Sequence, residues 1–264
     1  MPKYPAFLAA RFETRGVPCV VDGVEDLSPR FRRVHLSGEG LRGHEWAPCQ
    51  VTSFRVSDTE FRHYTPDGYD PERGRMSILF YRHGATAGEN DANGTDGAGG
   101  HAGTDGPGNG HRGGAPGQRW LTELGRGDEA RPMVPGATRR FRATGESGTY
   151  WVFGDGTTVG LWYSLIRWLP AGSTVRGAVE LPAAEMGLGR ELLPGIDVLP
   201  EGERPGVALD GWLDAADGAA PDHVYLSGHA QTIQRLRSTL RGRFGVDKGV
   251  IRTHAYWATG RTGL

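Results

Sequence analysis

The stretch from Thr149 to Leu181 constrains this chain more than any other. Thr149-Tyr150-Trp151-Val152-Phe153 is a continuous apolar run of strand length, and Gly154-Asp155-Gly156-Thr157-Thr158 is a glycine turn. Val159 to Leu169 is apolar at helical spacing and stops at Pro170, after which Thr174 to Leu181 returns as a strand. Strand, turn, helix, strand is the βαβ unit of a parallel sheet, because parallel neighbours need a crossover connection. His223 to Gly228 reads as another buried strand. Ala230 to Phe244 reads as a helix with Ile233, Leu236 and Leu240 on one face.

The first half has a different rhythm. Cys19 to Asp22, Phe31 to Leu36, Val51 to Val56 and Met76 to Tyr81 are short runs rich in β-branched and aromatic residues, separated by turn sequences such as SGEG, TPDG and RHG. Such a series predicts a small antiparallel barrel or sandwich. Gln118 to Leu124 reads as a short helix, Gly127-Asp128 as a turn, and Ala130 to Val134 as a strand. The change of pattern near Thr144 to Thr149 divides the chain into a β domain, residues 1–145, and an α/β domain, residues 146–264.

Glycine supplies 43 of the 264 residues, and much of the excess lies between Gly84 and Gly114. That segment has no large apolar side chain to offset the entropy of ordering it, so it reads as a disordered surface insertion. His83, His101 and His111 lie in or beside it without metal-ligand spacing, so no metal is expected. The formal net charge is -1, which provides no field for nucleic acid. No run of about 18 apolar residues occurs to span a membrane, and the N-terminus lacks the pattern of an export signal. Cys19 and Cys49 have no C-x-x-C spacing and read as ordinary thiols of a cytoplasmic protein, monomer or homodimer.

Chemistry concentrates in Arg62-His63-Tyr64-Thr65-Pro66. Residues alternating along a strand share a face, so a guanidinium, a phenol ring and a hydroxyl can meet one ligand there. A flavin dinucleotide suits that set: Arg grips a diphosphate with a forked pair, Tyr stacks on the isoalloxazine, and Thr bonds its polar edge. The same spacing also suits a surface Arg beside a strand pair.

The order of motifs resembles the siderophore-interacting proteins, ferric-siderophore reductases of the ferredoxin-reductase-like superfamily. The residues that carry the resemblance are Val24 to Val34, Arg62-His63-Tyr64-Thr65, His83-Gly84, Ala115-Pro116-Gly117-Gln118-Arg119-Trp120, Gly127-Asp128, Phe153 to Thr158, Tyr225 to His229 and Ala255 to Arg261. It implies a six-stranded antiparallel FAD-binding β-barrel followed by a parallel-sheet nucleotide-binding α/β domain. It also implies that hydride from NADPH or NADH reaches FAD and that electrons pass to a ferric chelate. Carried onto this chain, the FAD site comprises Arg62, His63, Tyr64, Thr65, His83, Gly117, Gln118, Arg119 and Trp120. The peptide N–H groups around Gly117 and Gln118 face the diphosphate, Gly154, Asp155, Thr157 and Thr158 border the nicotinamide nucleotide, and Tyr256 and Trp257 sit near the flavin ring.

This chain departs from the family pattern at four places. Trp162 and Tyr163 stand where small residues are usual, Ser227-Gly228-His229 replaces an Ala-Gly-Glu step, Gln118 replaces a Ser, and Asp67 stands where an Arg is common. They motivate an alternative, a tailoring flavoenzyme of natural-product biosynthesis acting on an aromatic or polyketide-like metabolite, with Trp162, Tyr163 and Trp257 lining its pocket. Asp210, Asp214 and Asp217 read as an acidic helix end. Arg235, Arg237, Arg241 and Arg243 read as a solvated helix face.

Overall fold

The computed structural model describes residues 3–83, 115–136 and 141–260. The insertion 84–114, with His101 and His111, lies outside the described residues. After a first helix, α1 (Ala6–Glu13), come β1 (Cys19–Asp26), β2 (Phe31–Ser37), β3 (Thr52–Arg55), β4 (Phe61–Tyr64), β5 (Gly68–Asp70) and β6 (Arg75–Tyr81). Then follow α2 (Pro116–Glu123) and β7 (Glu129–Ala130).

Five of these strands form one antiparallel sheet in the order β5-β6-β2-β1-β7, and β3 and β4 form a ribbon. The chain beyond β7 ties the two together. Val17 N–H donates to Pro132 O on the β1 side, Met133 N–H donates to Ser53 O, and Val51 pairs with Gly136 on the β3 side. The sheet thereby wraps toward a barrel around Val21, Val34, Leu36, Phe54, Met76, Ile78 and Phe80. Leu121 of α2 and Leu124 just beyond it join that core. Met76, Ile78 and Phe80 alternate along β6, as an inward face requires. Among the described residues seven strands stand where six were expected, because β5 and β7 are ladders of only three and two residues. The expected strand Ala130 to Val134 ends at Ala130. Pro132 and Pro135 have no N–H to continue a ladder, and single bonds replace it.

The second half contains β8 (Thr149–Asp155), α3 (Val159–Trp168), β9 (Thr174–Leu181), α4 (Met186–Leu192), β10 (Asp197–Pro200), α5 (Val207–Ala215), β11 (His223–His229), α6 (Ala230–Arg243) and β12 (Ile251–Trp257). The strands form an all-parallel sheet in the order β10-β9-β8-β11-β12. Successive residues of β8 face opposite layers. Tyr150 and Val152 pack with Leu161, Trp162 and Leu165 of α3. Trp151 and Phe153 pack with Leu209 and Leu213 of α5 and with Ile233, Leu236 and Leu240 of α6.

The α3 layer is also the seam with the barrel, because Phe31 and Leu79 enter the same core cluster. Hydrogen bonds reinforce that seam. Glu185, buried just before α4, accepts the Ser28 hydroxyl and the Arg30 N–H from the β1–β2 turn. Among the described residues no helix is long and apolar enough to cross a membrane.

Candidate functional site

The chain runs outward from β8 to β10, then crosses back to β11 and out to β12. The strand order therefore reverses between β8 and β11, and a crevice opens beyond the carboxyl ends at such a reversal. Asp155 ends β8 at that point. One of its oxygens accepts the Thr157 N–H at 2.9 Å and the Thr157 hydroxyl, and the other accepts the His229 N–H at 3.0 Å and the Trp257 indole N–H at 2.8 Å. Four donors use the carboxylate's four acceptor positions. Asp155 thus stitches β8, β11 and β12 together at the crevice floor, with its acceptor positions engaged within the protein. Thr158 is likewise committed, buried with its hydroxyl on Asp155 O at 2.7 Å.

Two histidines flank this carboxylate. His229 lies under the Trp257 ring, centroids 4.3 Å apart, and its nitrogens meet the Thr232 and Thr259 hydroxyls at 2.9 Å each. His83 packs edge-on to Tyr81 and reaches Trp257. Desolvation lowers the pKa of both rings, and Asp155 only partly opposes it. Both are therefore neutral donors and acceptors at pH 7.

The barrel contributes the other wall. Arg62 and Tyr64 share a face of β4 and converge on Gly117 in the first turn of α2. A Cβ built at Gly117 would lie 2.9 Å from the Tyr64 oxygen and 3.5 Å from Arg62 Cγ. Arg32 fixes the far end of that helix by donating to Leu121 O at 2.7 Å and Leu124 O at 3.1 Å. The result is a cradle of bare backbone, the Arg62 stem and a phenol hydroxyl at a helix N-terminus, a chemistry that fits the diphosphate of a dinucleotide.

Several expected roles change. Tyr64 is not a free stacking ring, because Phe54, Phe80 and Trp120 enclose it, with Trp120 stacked at 6.3 Å. Trp120 is therefore a barrel residue supporting Tyr64. The Gln118 N–H turns back to Ala115 O at 2.9 Å, and its side chain donates to Tyr81 O, so it does not face outward. Arg62 donates to Glu60 at 2.8 Å and to Phe61 O at 2.9 Å, which holds its fork in place. His63 and Arg119 are exposed, His63 against Ser53.

Thr65, one residue beyond Tyr64, points away from Arg62 and Tyr64, and its hydroxyl meets Tyr256 Oη at 2.5 Å. This contact closes the seam between barrel and parallel sheet. Burial pushes the Tyr256 phenol up. Sequence reasoning missed Tyr81, whose ring lies where a Cβ at Gly156 would come within 2.4 Å. Burial pushes its phenol up to about 12, and Glu201 adds to the shift. Its position at the end of an apolar strand, two residues before His83, was the available signal.

The pocket imagined for an aromatic metabolite does not form. Trp162 is fully buried in the core beside α3, and Tyr163 lies between Arg33 and Arg167, so neither shares a cavity with Trp257. Arg235 and Arg243 are engaged with Asp210 and with the carbonyls of Pro205, Leu213 and Ala216. Cys19 and Cys49 are buried free thiols, and no metal-holding cluster occurs among the described residues.

Residues 147–260 match the family model described as siderophore-interacting protein. No curated protein matches the chain in sequence. Solved structures that share its fold include the following three. The siderophore-interacting protein from A. baumannii has a TM-score of 0.70 at 16% identity, covering 93% of this chain and 92% of that one. A siderophore utilization protein from T. fusca has a TM-score of 0.68 at 20% identity, covering 94% of each chain. The flavohem-like FAD/NAD binding domain of nitric oxide dioxygenase from Vibrio cholerae has a TM-score of 0.61 at 16% identity, covering 92% of this chain and 99% of that one.

Proposed function

We infer, from a chain whose second half belongs to the siderophore-interacting protein family, that it is an FAD-dependent reductase passing electrons from NADPH or NADH to a ferric chelate. The observation that carries this reading is the cradle at Gly117, where Arg62 and Tyr64 converge across from the crevice floored by Asp155. Arg62 and the first turn of α2 would hold the diphosphate. Thr65 and the enclosed Tyr64 would set the depth of the ring system. Tyr81, His83 and Trp257 would border its exposed side with neutral aromatic surface. Flavin supplies the needed chemistry, accepting two electrons together and releasing them singly. The protein supplies position, and a desolvated wall that keeps His83 and His229 uncharged. Free buried thiols and a demand for reduced pyridine nucleotide suit a cytoplasmic setting.

The test is spectroscopic. The purified protein is expected to be yellow, with FAD released on denaturation, and anaerobic NADPH or NADH should bleach it within minutes. Adding a ferric chelate should then restore the colour with two ferrous ions formed per flavin. Arg62→Ala should lower FAD affinity at least tenfold, the loss of one charge-assisted fork. A colourless protein that takes up no FAD in titration ends this reading.

A further inference from the structure

We propose that Glu180 and Glu201 are specificity-determining residues that make the crevice select NADH over NADPH, by excluding the 2′-phosphate that distinguishes the second nucleotide. The inference rests on the reductase reading above and deepens it at the nucleotide site.

The register of the parallel sheet gathers the carboxylates. Asp155 of β8 pairs with Glu180 of β9, and Glu180 pairs with Leu199 of β10. Residues in register on parallel strands project from one face, and alternation returns that face two residues after Leu199, at Glu201. Glu201 extends the ladder past the end of β10, donating its N–H to Leu181 O at 2.9 Å. Desolvation raises the pKa of its carboxyl against the pull of Arg30, and the like charges of Asp155 and Glu180 add to the rise.

The same carboxylates fill the places that an added phosphate would use. Helix N-termini hold anions through N–H groups that lack a partner. Glu180, only 3% exposed, already accepts the Gly206 and Ala208 N–H groups at the start of α5, at 2.7 Å each. The His229 N–H, just before α6, is taken by Asp155 at 3.0 Å. Helix α3, by contrast, begins on Thr158 without a side-chain cap, which leaves its first turn for the diphosphate common to both nucleotides. Neighbouring cations are committed. Arg204 and Arg235 share Asp210, at 3.8 and 3.1 Å, and Arg30 donates to the Tyr81 hydroxyl at 3.3 Å. In doubly wound sheets a carboxylate near the end of the second strand accompanies a bare ribose, and a guanidinium accompanies a 2′-phosphate. Here β9 is the second strand, and Glu180 stands at its carboxyl end.

The experiment uses the FAD-loaded protein at about pH 8, so that the carboxylates are ionised. Calorimetry compares the affinities of 5′-AMP and adenosine 2′,5′-bisphosphate, which differ by the one phosphate, and anaerobic mixing compares flavin bleaching by sub-saturating NADH and NADPH. Wild type should favour 5′-AMP and NADH by at least about tenfold, a factor that like charges a few ångströms apart supply. Added salt should narrow both ratios. Glu201→Arg should narrow or reverse them by at least about tenfold, and Glu180→Gln should move them the same way. If Glu180→Gln fails to fold, having disturbed the start of α5, Glu201→Arg decides. Equal affinities in wild type, a preference for NADPH, or ratios that Glu201→Arg leaves in place overturn this proposal alone. A bound flavin that neither nucleotide bleaches overturns the reductase reading and the proposal with it.

Discussion

Asp155 concentrates more of the site's geometry than any other single side chain. Its four donors come from three different segments, and two of them, the His229 N–H and the Trp257 indole, sit at the ends of strands that pairing alone leaves open. Asp155→Ala would leave those donors without their acceptor in a partly buried place, and each such loss costs about 1–3 kcal/mol. The expected outcome is a destabilisation of about 3 kcal/mol in chemical denaturation. A red shift of the tryptophan emission should accompany it as Trp257 leaves His229. A variant as stable as wild type, with unchanged emission, would show that the carboxylate is only a bystander of the crevice.

At the scale of elements, the contact that matters is between strand β6 and the turn after β8. The Tyr81 ring occupies the volume that any side chain at residue 156 would need, and its hydroxyl is anchored by Arg30 at 3.3 Å. Gly156→Ala is therefore expected to cost about 1–3 kcal/mol from overpacking. In combination with Tyr81→Ala most of that penalty should vanish, giving a coupling energy above 1 kcal/mol in a double-mutant cycle. Additive effects would mean that barrel and turn are not in contact. Neither partner could have been paired from sequence, since they lie 75 positions apart and belong to patterns with different periods. The elements themselves were readable where apolar spacing was strong. Thr174 to Leu181 and Ala230 to Phe244 appear in the structure within a residue of their expected limits. Helix α4 was not readable, because Gly187 and Gly189 dilute its propensity and packing against Leu181 and Val198 decides it. The site was legible at Arg62, Tyr64 and Gly117, whose types suit a diphosphate wherever the fold gathers them. Thr65 and Tyr256 were both named from sequence, but their contact with each other was illegible, since a bulge changes which way a side chain points without changing its spacing.

Across the whole molecule, the two sheets meet over a seam that withdraws ionisable groups from water, and this sets how stability must respond to acid. His83, His223, His229 and His254 all have pKa values lowered, chiefly by desolvation. When a folded pKa lies below the unfolded value of about 6.5, the unfolded chain binds more protons in between, so stability is complete above that pH and declines as pH falls through the folded values. Glu180 and Glu201 are shifted upward by burial and oppose the trend, gaining protons in the folded state first. Four groups against two should leave a net loss, and the melting temperature is expected to fall between pH 7 and pH 5. His229→Gln isolates one contributor, because its ring is held by the Thr232 and Thr259 hydroxyls, with Asp155 and Arg235 as its charged neighbours. The variant should lower the pH slope of unfolding free energy in that window by up to about 1.4 kcal/mol per pH unit, the equivalent of one proton. An equal slope in both proteins would mean that His229 titrates alike in the folded and unfolded chain, and that the crevice around Trp257 is wet.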